Sequence, residues 1–219
     1  MQTLIALTVL PLAIIGLQMA CGTTGAFYNS LYKLAFIIPP LVYCRMHDIR
    51  VGREIFKWQN WRNRLGLSLA LGSGAAAIFL GAYAAFGQAL VDERAIVDKI
   101  EDQFSVTAAT VLLIAPFTIA INSLVEEFFY RGFAFGLLAP RHALVGTLLP
   151  AAVFTVQHLL FIYHWVTPLP LALAILGLTV FALAAQAMYA AADSIVAPWL
   201  IHVCGDVAMM AIAVKLLMW

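Results

Sequence analysis

Runs of about twenty predominantly apolar residues, the length an α-helix needs to cross a bilayer, recur along almost the whole of this chain. Seven segments qualify, at 2–20, 26–44, 65–87, 107–138, 143–162, 168–190 and 195–217. Lipid offers no partner to a bare backbone amide, so such segments must be helices or the strands of a closed barrel. The runs are too irregular for a barrel, and the expected fold is all-α: a polytopic transmembrane helical bundle. The fourth segment exceeds one straight span. It tilts, kinks at Pro116 or divides in two, which gives seven or eight spans. Composition agrees, with 64% hydrophobic and 11% charged residues against about 45–50% and about 25% in soluble domains.

The first twenty residues, MQTLIALTVLPLAIIGLQMA, lack the basic leader of a signal peptide and read as the first transmembrane helix. The longest polar stretch, residues 45–64, carries Arg45, Arg50, Arg53, Lys57, Arg62 and Arg64 against Asp48 and Glu54. Its basic excess assigns it to the cytoplasmic side, and Trp58 and Trp61 suit the headgroup region. The next polar stretch, VDERAIVDKIEDQF, is net acidic and falls on the opposite side. Arg141 and His142 then return to the cytoplasmic side. The net charge of +1 gives no reason to expect nucleic acid. Cys21, Cys44 and Cys204 are widely spaced and read as packing residues rather than a disulfide framework or thiolate zinc site.

Ionisable residues at bilayer depth are costly and therefore candidates for function. Apart from Lys33 and Lys215, which can snorkel or pair, they fall in three places: Glu126, Glu127 and Arg131; His158; and His202 with Asp206. Side chains three or four positions apart share a helix face. Glu127 therefore reaches Arg131, and Phe154 packs beside His158. His202 and Asp206 project together from the last helix. Glu126 is turned about 100° away from Glu127, so one acid is tied to arginine while the other points elsewhere. At 1.5 Å per residue, Glu126 lies about 21 Å before the turn at Pro140-Arg141 and His158 about 26 Å after it. His202 lies about 14 Å from Asp193 on the same scale. The three places can converge. An internal ion-pair cluster that only holds helices together is the structural alternative.

These residues resemble a known pattern. EEFFYR (126–131) and FTVQH (154–158) match the EExxxR and FxxxH motifs of the CAAX-protease and bacteriocin-processing (Abi) membrane proteins. HVCGD (202–206) matches the third motif, HxxxN, except for Asp206, and DSIVAPWLIH resembles its lead-in. The resemblance spans about residues 105–212. It divides the chain into N-terminal helices with the basic loop (1–104) and a catalytic helical core (105–219).

The resemblance implies an intramembrane endopeptidase acting on a membrane-anchored protein or peptide, prenylated tails being the best-known substrate. Glu126 would activate water and His158 would help hold it. His202, with position 206, would stabilise the oxyanion, and Glu127 and Arg131 would orient the site. Such chemistry needs a buried base and donors aimed at developing charge. Ionised aspartate accepts but cannot donate, so Asp206 is protonated, fixes a histidine tautomer, or marks a metal site.

Glu126, His158, His202 and Asp206 are an acceptable zinc donor set, but there is no HExxH and the donors lie on three helices. A glutamate mechanism without cofactor is the preferred reading. A non-catalytic immunity or interaction protein and a proton-relay transporter are the functional alternatives. The expected location is a bacterial inner membrane. His47 and His142 lie in polar flanks. His164, beside Tyr163 and Trp165, belongs to an interfacial aromatic belt.

Overall fold

The computed structural model describes residues 1–22, 32–164 and 166–219, and these residues are helical or in turns. Helix α1 is Gln2–Ala20, α2 Leu34–Met46, α3 Leu65–Leu90, and α4 Glu93–Phe104. Helix α5 is Val111–Leu138, α6 Ala143–Ile162, α7 Pro168–Ala192, and α8 Val196–Met218. Six of these are long and apolar enough to span, and α2 is a shorter apolar helix. The segment expected at 26–44 begins outside the described residues, and its described part is α2. Trp165 also lies outside them. The chain is an all-helical, multi-pass integral membrane protein.

Much of each span is unburied within the protein, and large side chains such as Ile78, Leu113 and Leu144 face outward. That pattern suits lipid, which solvates such side chains as well as a protein core does. Inward, aromatic residues of α5 carry the packing. Phe129 stacks on Phe36 of α2 with centroids 4.6 Å apart, and Tyr130 meets Phe154 of α6 edge-on at 5.2 Å.

The long α5 resolves its excess length without dividing. It runs through π-helical stretches at Thr118–Asn122 and Phe128–Phe135. A π-turn moves the backbone hydrogen bond from i−4 to i−5 and so disturbs the carbonyl ladder. Trp199 of α8 uses this: its indole N–H donates to Ala120 O at 3.2 Å and to Ser123 Oγ at 3.1 Å.

Two clusters fix the ends of the bundle. Asn60 Nδ2 donates to Asp193 Oδ2 at 2.8 Å, Lys57 pairs with Asp193, and Asn63 donates to Ala192 O at 2.9 Å. The Tyr189 hydroxyl donates to Ile55 O at 2.8 Å. The basic stretch 45–64 is thus folded against the α7–α8 turn. At the other end Lys215 reaches Glu93 at 3.2 Å. Helix α4, capped by Asp92 accepting from the backbone of Arg94 and Ala95, sits there with an apolar stripe of Ala95, Ile96, Ile100 and Phe104. The α2–α3 and α7–α8 connections thus share one end, and the α3–α5 connection lies at the other with the close of α8.

Two glycines set helix separations. A Cβ on Gly72 of α3 would lie 2.9 Å from Cys204 Sγ and 3.0 Å from Ile201 Cα of α8. A Cβ on Gly146 of α6 would lie 2.2 Å from the backbone nitrogen of Ala139, so the α5–α6 hairpin closes only over a hydrogen atom.

Candidate active site

The three polar places meet where α5, α6 and α8 come together. Glu127 Oε1 accepts from Arg131 Nη1 at 2.9 Å, with both side chains fully buried. The Arg131 guanidinium is held over aromatic faces, 4.4 Å from the Phe154 centroid and 5.3 Å from that of Phe181. Its Nε and Nη2 have no hydrogen-bond partner among the described residues. Stacking on π-faces is a partial substitute for water at a desolvated guanidinium.

The same Glu127 oxygen lies 2.8 Å from His202 Nδ1. Since this carboxylate is paired with arginine it accepts, and Nδ1 carries the proton. His202 Nε2 then faces Glu126 Oε2 at 3.9 Å and Asp206 Oδ1 at 3.7 Å. Across the site His158 Nε2 lies 3.5 Å from Glu126 Oε2. His158 Nδ1 lies 2.8 Å from the Phe154 carbonyl. A carbonyl only accepts, so Nδ1 is the protonated nitrogen and Nε2 offers a lone pair.

The two oxygens of Glu126 are therefore not equivalent. Oε1 accepts from the Lys33 ammonium and from Asn122 Nδ2, the latter at 3.2 Å. Oε2 is buried with no hydrogen-bond partner among the described residues and faces both histidines. Asp206 Oδ2 is likewise buried and has no partner among the described residues. Orphaned buried oxygens are rare in folded proteins and mark places where a further molecule or proton is needed. The cluster is most open at His158, whose side chain is 27% exposed, and at Lys33, 20% exposed; that of Glu127 is fully enclosed.

All six residues singled out by motif, Glu126, Glu127, Arg131, His158, His202 and Asp206, are thus brought into one cluster. His47, His142 and His164 are exposed and apart from it. The geometry adds Lys33, which the sequence marks only as an intramembrane cation able to pair, and Asn122. Asn122 precedes Glu126 by four residues, a spacing that places both on one face. It also adds Gln157 beside His158, whose Oε1 accepts from the Tyr130 hydroxyl and whose Nε2 donates to Tyr32 at 3.5 Å.

The chemistry of Glu126, His158, His202 and Asp206 suits zinc, and their donor atoms face one another at 3.5–3.9 Å. Among the described residues no group of three or more His, Cys, Asp or Glu side chains is placed to hold a metal ion. Glu126 already holds the Lys33 cation, which would repel a second one.

No curated protein and no solved structure matches the chain. Residues 108–208 match the model of the family described as type II CAAX prenyl endopeptidase Rce1-like. That stretch, a little under half of the chain, carries Glu126, His158 and His202, and over it the chain is similar to this family of membrane endopeptidases.

Proposed function

We propose that this protein is a glutamate peptidase that hydrolyses a peptide bond of a membrane-anchored protein or peptide, using water activated by Glu126. One observation carries the reading: Glu126 Oε2 is buried without a hydrogen-bond partner among the described residues, yet faces the Nε2 atoms of His158 and His202 at 3.5 and 3.9 Å. A water there would donate one proton to Oε2 and the other to His158 Nε2, leaving an oxygen lone pair free for attack.

The steps follow from those positions. Water oxygen bonds to the scissile carbonyl carbon as its proton passes to Glu126. The carbonyl π electrons move to oxygen, and the oxyanion is met by His202 Nε2–H. To donate there while Nδ1 donates to Glu127, the ring must carry both protons. Asp206 and Glu127 are then its counter-ions. This gives Asp206 a role that needs no donor of its own. The carbonyl re-forms, the C–N bond breaks, and Glu126 returns its proton to the leaving amine. Oxyanion donors of this kind are each worth about 10²–10³ in rate. Arg131 holds Glu127, and Glu127 holds the His202 ring.

The name of the matched family points to a prenylated CAAX tail as the first probe. Glu126→Gln keeps shape and removes the base. It is expected to abolish cleavage of such a peptide in vesicles while the protein stays folded, and wild-type activity is expected to survive chelation. Undiminished cleavage by Glu126→Gln would refute the role of the base. Activity lost on chelation and restored by zinc would refute the metal-free mechanism.

A further inference from the structure

The site holds three carboxylates, Glu126, Glu127 and Asp206, in largely enclosed positions. Arg131 answers one of them. The second cation comes from outside the family-matched stretch: Lys33, at the N-terminal edge of α2, bonds Glu126 Oε1. From Glu126 the cluster runs on to Asp206 through one ring: His202 Nε2 lies 3.9 Å from Glu126 Oε2 and 3.7 Å from Asp206 Oδ1. The Lys33 ammonium lies 5.0 Å from the ring centroids of Tyr32 and Phe36, which hold the chain extended toward α5.

We infer that Lys33 is a positioning residue of the active site, coupled to Asp206: it holds Glu126 Oε1 so that Oε2 faces the histidines, and it balances the charge that Asp206 brings. The argument rests on the peptidase reading for its catalytic part and on charge alone for its pairing. With both residues present, three carboxylates stand against Lys33, Arg131 and the doubly protonated His202. With both removed, two stand against two, and the net charge is unchanged. With Lys33 alone removed, two carboxylates are left to share the histidines, in a region where uncompensated charge is most expensive. Glu126 would also lose its strongest anchor and be free to turn Oε2 away. Misplacing a reacting group by about 1 Å costs about 100-fold in rate.

The test is a cycle of Lys33→Met, Asp206→Asn and the double variant in the full-length protein, with Lys33→Arg as the conservative control. Melting in detergent reads the charge pairing without any substrate. Cleavage of a prenylated CAAX peptide in vesicles reads the positioning. Lys33→Met is expected to lower the melting temperature, and the double variant to recover most of that loss. In cleavage, Lys33→Met should lower kcat about 100-fold with KM little changed, and Lys33→Arg should restore at least a tenth of wild-type kcat. Strictly additive melting shifts would overturn the coupling, and a Lys33→Met enzyme with unaltered kcat would overturn the positioning role. Should Glu126→Gln cleave normally, the peptidase mechanism fails instead, and the melting cycle still decides whether Lys33 and Asp206 are paired.

Discussion

Replacing Gly146 by alanine adds one methyl group far from any reacting atom, yet the structure predicts a large loss of activity. The new Cβ would lie 2.2 Å from Ala139 N and 2.3 Å from Ala139 Cα. These are backbone atoms at the close of α5, and no side-chain rotation relieves the overlap. Bringing 2.2 Å to the 3.4 Å of ordinary contact parts the two backbones by 1.2 Å. That displacement enters the hairpin that sets Glu126 on α5 against His158 on α6, a pair 3.5 Å apart. Overpacking of this kind costs about 1–3 kcal/mol, partly offset by alanine's better helix propensity of up to about 1 kcal/mol. With the full offset the net cost is about 0–2 kcal/mol, and a melting temperature lower by up to roughly 8 °C is expected, at about 2–4 °C per kcal/mol for a chain of this size. The kinetic effect should be larger, about 100-fold in kcat, because the reacting groups are held only as well as the hairpin is. Gly81→Ala on α3 is the control, since a Cβ there meets nothing within 4 Å. It should melt no lower than wild type and cleave as well. A Gly146→Ala enzyme that cleaves like wild type would show that hairpin spacing does not set the register between Glu126 and His158.

Other perturbations follow from the same geometry. Arg131→Met leaves the fully buried Glu127 without its cation and should destabilise the fold by about 3–5 kcal/mol, read from denaturant or thermal melting in detergent; a change under about 1 kcal/mol would contradict the pairing. Glu93, outside the spans, accepts from the Tyr83 hydroxyl and then from Lys215, and these hold its carboxyl below the ordinary glutamate range. Its contribution to stability is therefore fully present above about pH 4.3, the unfolded value, and is lost as pH falls through the lower folded value. Hydrogen exchange at the α4 amides should rise over that acid range in wild type, and the pH dependence should vanish in Glu93→Gln.

What the sequence made legible was whatever helical spacing controls. Glu127 and Arg131 are four residues apart and do pair, and Phe154 does lie beside His158, with ring centroids 4.2 Å apart. The depths counted from Pro140 place Glu126 and His158 within one turn of each other, and their side chains meet. Features made by distant partners were not legible. Lys33 and Glu126 are 93 residues apart, and an apolar context announces an ion pair without naming its partner. The π-helical stretches of α5 have no composition of their own, because they arise from fitting one long helix between α2, α6 and α8. The basic stretch 45–64 reads as a headgroup segment, and its bonds to Asp193 and Ala192 depend on where α7 ends.

The seam between α3 and α8 carries one further consequence. Helix α3 turns most of its surface to lipid, and where it meets α8 its Gly72 touches Ile201 and Cys204, the residues on either side of His202 and Val203. There is no slack in that contact for even a methyl group. The width of a glycine thus acts as a calliper for His202: residue size on a lipid-facing helix is expected to read out as the distance between His202 and Glu126.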